Sequence, residues 1–356
     1  MKNNKQPLLW GILHFLNDLT AGFMLAKYTF DHPQEQSLLF IVVYSIIGFG
    51  GQLPVGFWMD HLRLIKPFAT ASVIFLPLAI IIFYINPETG IIFSGLASAF
   101  IHVTGGAVCL QLNENKTGPL ALFTAPGVLG LTIGGILGSA AAAWLMVCAV
   151  LTTAVSFFIF KYRLPVYQPQ QKKQSELDGH DWLMLGILLV MCFRSFLFDV
   201  LNQVAQQHQD GILIIGISAF AGKMIGGFVA DKIGWKRYVY ISLPLALLFF
   251  QFGKENIYAL AFGIACLQSS VPITLLLMGQ QLQLYPATAT ALSLGASIAL
   301  AGLPLFMVGS ATAVLQFFSN GWMTAIAFIL MLILVLFLLR HIRRQPAANN
   351  PSGTNS

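Results

Sequence analysis

The sequence contains very few charged residues. Lysine, arginine, aspartate and glutamate together make up 9% of its 356 residues, whereas soluble domains carry about 25%. Hydrophobic residues account for 57%, and the mean hydropathy is +0.77. This scarcity of charge excludes a soluble globular domain and indicates a protein that crosses the membrane several times.

Cysteine is also scarce, and its placement argues against metal and disulfide chemistry. The four cysteines lie in separate apolar stretches, without the paired spacing of a zinc site or a redox motif. They are Cys109, Cys148, Cys192 and Cys266. We interpret them as small packing residues, and we predict no metal site and no cofactor. A cleavable signal peptide is not predicted, because the apolar run after MKNNKQ is too long for one.

Long apolar runs fill most of the chain. A helix that spans the bilayer needs about 20 mostly apolar residues, and twelve such segments can be placed. They lie near 8–29, 38–58, 67–85, 90–111, 118–139, 142–160, 182–201, 211–230, 238–252, 257–279, 287–310 and 321–339. The sequence therefore predicts an all-α membrane protein with twelve transmembrane helices and no separate soluble domain.

Basic residues lie mostly on one side of these segments. An even number of helices puts both termini on the same side, and most of the 19 lysines and arginines fall there. Cytoplasmic loops are rich in basic residues, so we predict cytoplasmic termini and a multi-pass protein of the cell inner membrane. Because this topology explains the formal charge of +6, nucleic acid is not a predicted partner. We expect a monomer that contacts lipid, protons and a small-molecule substrate.

A polar stretch at 161–181 divides the twelve segments into two sets of six. We interpret it as a cytoplasmic linker between an N-terminal bundle at 1–160 and a C-terminal bundle at 182–341. The remaining residues, 342–356, are rich in proline, asparagine and serine and are predicted to be disordered. This division predicts two six-helix bundles joined by one loop.

A repeated motif supports two related halves. GQLPVGFWMD at 51–60 aligns with GKMIGGFVAD at 222–231, and each copy ends the second helix of its half; such duplication is typical of transporters. The final aspartates, Asp60 and Asp231, are poorly placed on their own helices, because the helix dipole is negative there. Their partners are either nearby basic side chains or the free N–H groups at the start of another helix, at KTGP or LYPA.

The second copy continues as GGFVADKIGWKR, which resembles the cytoplasmic loop signature of the major facilitator superfamily, G-x-x-x-D-R/K-x-G-x-R/K-R/K. The resemblance implies a transporter of two pseudo-symmetric six-helix bundles, whose halves are latched in one state by these residues. The implied latch residues are Gly56, Asp60, Arg63, Gly227, Asp231, Lys232, Gly234, Lys236 and Arg237. Because His61 and Arg63 depart from the signature, we expect a weaker latch in the first half.

Four stretches resemble the fosmidomycin-resistance branch of that superfamily: LHFLNDLTAGF, GQLPVGFWMD, SAFIHVTGGA and GVLGLTIGGILG. Members of the branch carry a His-x-x-Asn-Asp element in helix one, which His14, Asn17 and Asp18 match. They also carry a His-Pro-Glu-Gly element in helix four, of which His102 and Gly105 remain, while Val103 and Thr104 replace the proline and the glutamate. The resemblance implies proton-driven efflux, although one acid that could carry a proton is missing.

Ionisable residues inside the predicted spans are candidates for function. A charge at mid-membrane costs at least about 2.5 kcal/mol and therefore faces a cavity or a partner. Asp18 and His14 are four residues apart on one helical face, which predicts a proton-coupling site. The alternative is a structural Asp–His or Asp–Asn hydrogen bond. Asn17 and His102 are predicted to bind substrate, His102 from a cavity-lining helix in which it could equally be a satisfied structural group.

The C-terminal half offers its own candidates. Arg194, midway along helix seven, is predicted to bind an anionic substrate, unless it pairs with Asp199 or Asp18. Lys223 is predicted to extend towards the cytoplasmic surface. LQSSVP at 267–272 predicts a kink in the tenth span, where two further residues are predicted to bind substrate unless the serine bonds its own backbone. These two are Gln268 and Ser269.

A glycine ridge and the absence of other motifs complete the sequence-based picture. Gly130, Gly134 and Gly138 predict close packing of the fifth helix against a neighbour. The chain is predicted to be a secondary transporter of a small, anionic or amphipathic solute, with proton-coupled efflux favoured and proton-coupled uptake as the first alternative. A receptor that no longer transports, and a membrane-embedded acyl-transfer enzyme with His14 as base, are further alternatives. Because no nucleophile motif is present, an enzyme is not predicted.

Overall fold

The computed structural model describes residues 5–113, 115–167, 179–205, 208, 210–252, 256–307 and 321–341. The predicted tail at 342–356 lies outside the described residues. So does the middle of the predicted linker at 161–181, which is described only as far as 167 and again from 179.

Twelve helices follow one another along the described residues, and no strand occurs among them. They are α1 (Gln6–Asp31), α2 (Gln34–Leu62), α3 (Ile65–Ile85), α4 (Pro87–Leu112), α5 (Gly118–Leu137), α6 (Ala143–Lys161), α7 (Gly179–Ala205), α8 (Gly211–Ile233), α9 (Trp235–Phe252), α10 (Ile257–Gln281), α11 (286–307) and α12 (Gly321–His341). Of these, α1 to α8 and α10 are long and apolar enough, over the residues described, to cross a membrane. The prediction of an all-α membrane protein with twelve helices is confirmed.

Three of the helices, α2, α10 and α11, are irregular. A turn of π-helix interrupts α2 at Ile46–Gly50 and α11 at Ala291–Ala296. The two π-turns meet, because Gly295 packs against the backbone of Phe49. The predicted break in α10 is confirmed, since the α-helix stops at Gln268 and resumes at Val271, just before Pro272.

The N-terminal half is built around the contact between α1 and α5. Glycines on α5 let the two backbones touch: Gly130 faces the carbonyl of Phe15, and Gly134 faces that of Leu19. Any side chain at these glycines would overlap backbone atoms of α1, so the helices would have to separate. The predicted packing role of the glycine ridge is confirmed, and its third member, Gly138, packs against Ala26.

The two halves contact each other along what we call the seam, the surface where α2, α4 and α5 meet α8, α10 and α11. Its most extensive contact is between α5 and α8. We call the end of the molecule that carries Arg63, Lys116, Lys232 and Lys236 the basic side. The loop from α4 to α5 and the loop from α10 to α11 both lie there, so the first turns of α5 and α11 lie at the basic side of the seam.

The α1–α5 contact yields a test on two neighbouring glycines. Gly134→Ala should destabilise the protein by about 1–3 kcal/mol, because the new methyl group overlaps the backbone of α1. Gly135→Ala is the control, since a Cβ there would meet nothing within 4 Å. Thermal unfolding, followed with a dye that reacts with the buried thiols of Cys109 and Cys148, should show a lower midpoint for the first variant only. Equal midpoints would contradict the packing described.

Candidate functional site

The carboxylate of Asp231 binds the first turn of α5, in the opposite half of the protein. Its two oxygens accept hydrogen bonds from the backbone N–H of Thr117 (2.7 Å) and of Gly118 (2.9 Å) and from the Thr117 hydroxyl (2.8 Å). That hydroxyl lies 2.6 Å from the carbonyl of Gly227 as well. A negative charge at a helix N-terminus is favourable because free N–H groups and the positive end of the dipole meet it there.

Asp60 makes the equivalent contact with α11. Its oxygens accept hydrogen bonds from the backbone N–H of Ala287 (3.1 Å) and of Thr288 (2.6 Å). A third donor, the hydroxyl of Tyr167, lies 2.5 Å away in the segment after α6. Burial and the Asp60 carboxylate raise the pKa of this hydroxyl, which therefore stays protonated and donates.

Of the two partners predicted for these aspartates, the structure selects the helix N-termini. No ion pair links Asp60 or Asp231 to a basic side chain of the described residues. Each carboxylate has three donors. The number of contacts therefore does not indicate that the latch of the first half is weaker than that of the second.

The backbone around the two aspartates also follows the repeat. Arg63 and Gly234 occupy equivalent positions after the two helices, and both have positive φ, at 57° and 89°. The glycine of the signature thus meets a requirement of the backbone, and Arg63 adopts the left-handed helical region, at ψ 33°, despite its side chain. Gly56 lies against Ala287, and Gly227 lies against Ala121, so these two glycines let the seam close.

A second cluster lies inside the N-terminal half, where Asp18 sits between two histidines. The Nε2 atom of His14 is 3.1 Å from one oxygen of Asp18, and the Nε2 atom of His102 is 3.9 Å from the other. The side chains of both histidines are 6% exposed and that of Asp18 is 13% exposed. The sequence does not show that His102 joins this cluster, because that requires α1 and α4 to pack side by side.

Backbone carbonyls fix how the two imidazole rings are protonated. The Nδ1 atom of His14 lies 2.8 Å from the carbonyl oxygen of Phe123, and the Nδ1 atom of His102 lies 2.8 Å from that of Ser98. A carbonyl oxygen only accepts, so each Nδ1 carries a proton and donates it. Both Nε2 atoms are then directed at Asp18. A hydrogen bond between His14 and Asp18 therefore requires one further proton, on either partner.

Neighbouring groups shape the same cluster. Asn17 donates from Nδ2 to Asp18 at 2.8 Å. Gly127 leaves room for the ring of His14, because a Cβ at that position would overlap it. From other helices, Lys223 of α8 and Tyr44 of α2 lie within electrostatic range of Asp18.

The three ligand-type atoms of this cluster lie within 4.8 Å of one another, a spacing that would also suit a metal ion. The sequence-based expectation of no metal site remains a prediction.

Arg194 of α7 lies in a different place, inside the C-terminal half. Its side chain is buried, and Nη1 donates to the hydroxyl of Thr274 on α10 at 2.8 Å. Neither predicted ion pair, with Asp199 or with Asp18, forms among the described residues. Arg194 lies at one end of a narrow cavity between α7, α9, α10 and α12.

The other predicted residues of the C-terminal half lie near this region. Lys223 does not follow the prediction of an extension to the surface. It is half-buried, and its Nζ lies 3.4 Å from the carbonyl of Thr124 across the seam. The hydroxyl of Ser269 donates to the carbonyl of Cys266 at 2.6 Å, which is the backbone bond considered above as the alternative. Gln268 is buried at the end of the first part of α10, and the substrate role of both residues stays a prediction.

Sequence reasoning missed the groups that hold these sites in place. The carbonyls of Ser98 and Phe123, the hydroxyl of Tyr167 and the side chain of Thr117 all contact predicted residues. Two of them carried a readable signal: Ser98 lies four positions before His102 on one helix, and Thr117 lies in the KTGP helix start. The others depend on which helices become neighbours.

Comparison with known proteins places the fold. The family model described as Major Facilitator Superfamily matches residues 8–253. A variant of the E. coli fucose:proton symporter FucP shares 13% identity at a TM-score of 0.68, over 96% of this chain and 98% of that one. FucP in the outward conformation shares 14% identity at a TM-score of 0.66, over 96% of this chain and 97% of that one.

The human organic anion transporter MFSD10 shares 16% identity at a TM-score of 0.65, over 95% of this chain and all of that one (100%). At this identity the likeness shows the fold alone. A comparison with curated proteins gives no match, and none of these matches is to the fosmidomycin-resistance branch. The family match and the twelve-helix fold agree: the chain belongs to the major facilitator superfamily.

Proposed function

We propose that this transporter couples the movement of a small organic anion to protons, with Asp18 and His14 holding the coupling proton. Transport occurs by alternating access, in which the two bundles rock about the seam. The proton drives export of the anion from the cytoplasm. The observation that carries the proposal is the arrangement of one carboxylate between two Nε2 atoms whose rings are fixed by backbone carbonyls.

The proton count at Asp18 gives the coupling its physical basis. With the proton present, His14 and Asp18 share a hydrogen bond at 3.1 Å. Without it, a lone pair of Nε2 faces a carboxylate, and the contact becomes repulsive. His102 lies 3.9 Å from Asp18, and Lys223 and Tyr44 are within electrostatic range of it, so loss of the proton changes the balance of charge around Asp18.

The cations of the C-terminal half support an anionic substrate. Arg194 and Lys223 lie within electrostatic range of each other, and neither forms an ion pair with a carboxylate of the described residues. Two such cations in the interior favour a ligand that supplies negative charge. We further propose that Asn17, His102, Gln268 and Ser269 contribute hydrogen bonds to the substrate.

The distribution of basic loops supports the sidedness of this scheme. We propose that the basic side is the cytoplasmic side, and that the N-terminal bundle at 1–160 and the C-terminal bundle at 182–341 move as units joined by the linker at 161–181. The hydrogen bonds of Asp60 and Asp231 then hold the cytoplasmic side closed in the state described here.

Replacement of Asp18 tests the proton site. Purified protein in liposomes is assayed with membrane-impermeant sulfonates from ethanesulfonate to taurocholate, with and without a pH difference. One proton per cycle and one pH unit supply about 1.4 kcal/mol, or roughly tenfold accumulation. Asp18→Asn should lose this accumulation and retain exchange at equal pH, because the amide cannot gain or lose the proton.

Asp199→Asn is the matched control, since Asp199 is a half-buried aspartate of α7 outside the cluster. It should keep the response to pH. If the Asp18→Asn variant transports with an unaltered pH dependence, Asp18 is not the site of the coupling proton. If the anion moves in the same direction as the protons, the protein is an uptake symporter and the proposed efflux is wrong. Binding without flux would indicate a receptor, and a chemically altered anion would indicate an enzyme.

The latch yields a separate prediction. Asp60→Asn and Asp231→Asn should each loosen the basic side of the seam, because an amide has only one acceptor oxygen and no negative charge, whereas the two N–H groups bind different oxygens of the carboxylate. Leu110→Cys provides the reporter, since Leu110 contacts Gly279 across the seam. Its labelling by an impermeant maleimide in nanodiscs should rise about tenfold in either variant, as expected for hydrogen bonds to a charged group.

Asp31→Asn serves as the control for the latch, because Asp31 forms an exposed ion pair with Lys27, within α1 at the end away from the basic side. It should leave the labelling of Leu110→Cys unchanged. If all three variants label at the same rate as their parent, the carboxylates do not close the seam.

A further inference from the structure

The cavity beside Arg194 is lined almost entirely by hydrophobic residues. Apart from Arg194 and two hydroxyl side chains, every lining residue is hydrophobic. The lining residues comprise Ile187, Val190 and Arg194 of α7, Trp235, Val239 and Leu243 of α9, Ser270, Ile273, Thr274 and Leu277 of α10, and Met331, Val335 and Leu338 of α12. A buried guanidinium at one end of an apolar slot is matched by a ligand with one anionic group and a hydrocarbon chain.

The positions of the lining residues along their helices show how this cavity, which we call the slot, is oriented in the membrane. Arg194 and Ile187 are seven residues apart on α7, so the slot is about 10 Å long at the rise of an α-helix. Its charged end lies near mid-membrane and close to the seam, where Lys223 is within electrostatic range of Arg194. Its apolar end lies towards the basic side, where α9 begins at Trp235.

Arg194 is free to bind an anion. It is 4% exposed, and its hydrogen bond within the described residues is the one to Thr274. A planar guanidinium has five N–H donors, of which two can grip one carboxylate, sulfonate or phosphate group. The unused donors would be costly to bury if no ligand ever met them.

We infer that the substrate is a linear, single-chain amphiphile with an anionic head. The head binds Arg194 and Thr274 inside the C-terminal half, and the hydrocarbon chain lies in the slot between α7, α9, α10 and α12. This inference deepens the proposed function by naming the substrate class, and it rests on that function. It adds a binding site for the hydrocarbon chain, which the proton cluster in the other half does not supply.

Trp235 is a native reporter for the chain. Protein in nanodiscs is titrated with ω-bromodecanesulfonate, whose sulfonate is permanently ionised and whose bromine quenches tryptophan only at short range. The difference between the wild type and Trp235→Phe isolates this residue. We expect saturable quenching of Trp235, because the bromine at the chain end comes next to the indole when the sulfonate is on Arg194.

Two pairs of variants distinguish binding at the site from partition of the amphiphile into the bilayer. Arg194→Gln should weaken the saturable component at least about tenfold, whereas Arg194→Lys keeps the charge without the planar fork and should weaken it less. Val239→Phe narrows the slot and should weaken binding similarly. Ile241→Phe is its control, because Ile241 is an exposed residue of the same helix. The trimethylammonium analogue should give no saturable quenching.

The outcomes also separate this inference from the proposed function. Quenching that does not saturate, or that is the same in Arg194→Gln and Val239→Phe, reflects chain partition into lipid and overturns the inference. If taurocholate is transported while bromodecanesulfonate fails to saturate Trp235, the amphiphile site is wrong and anion transport stands. If bromodecanesulfonate saturates the site and no anion crosses the membrane, the site stands and the transport proposal fails.

Discussion

Each half of this protein ends its second helix on a carboxylate that a helix of the other half must solvate. Asp60 and Asp231 lie at the negative ends of their own helices, where their charge is unfavourable. The first turns of α11 and α5 supply the N–H groups that compensate it. Neither half can satisfy its aspartate alone, so the closed arrangement of the seam depends on this reciprocal exchange.

The same constraint explains where the remaining polar groups lie. A membrane interior offers no water to a charged side chain, so each such group needs a partner in the protein or in a ligand. Asp18 finds His14, His102 and Asn17 within its own half. Arg194 and Lys223 find only a hydroxyl and a carbonyl among the described residues. The N-terminal half thus holds the group that we propose exchanges a proton, and the C-terminal half holds unmatched positive charge.

The sequence predicted the parts of the molecule that depend on local pattern. Apolar runs predicted the twelve helices, the glycine ridge predicted close packing of α5 against a neighbour, and Pro272 predicted the break in α10. The prolines of KTGP and LYPA marked the helix starts that bind the aspartates. The prediction for Lys223 was wrong because its orientation depends on α5 of the other half. The cavity beside Arg194 is made by four helices that are distant in sequence, so no local pattern could predict it.

The central claim is that the basic side of the seam opens in each transport cycle and is closed by the two carboxylates. Asn115 and Gln280 lie across that seam, with 3.3 Å between their side-chain amides. Cysteines at both positions, in a background without the four native thiols, allow a reversible disulfide across the seam. We predict that the disulfide forms readily, stops transport, and releases it on reduction, while Asp231→Asn slows its formation. Transport that continues at full rate with the disulfide in place would contradict the account.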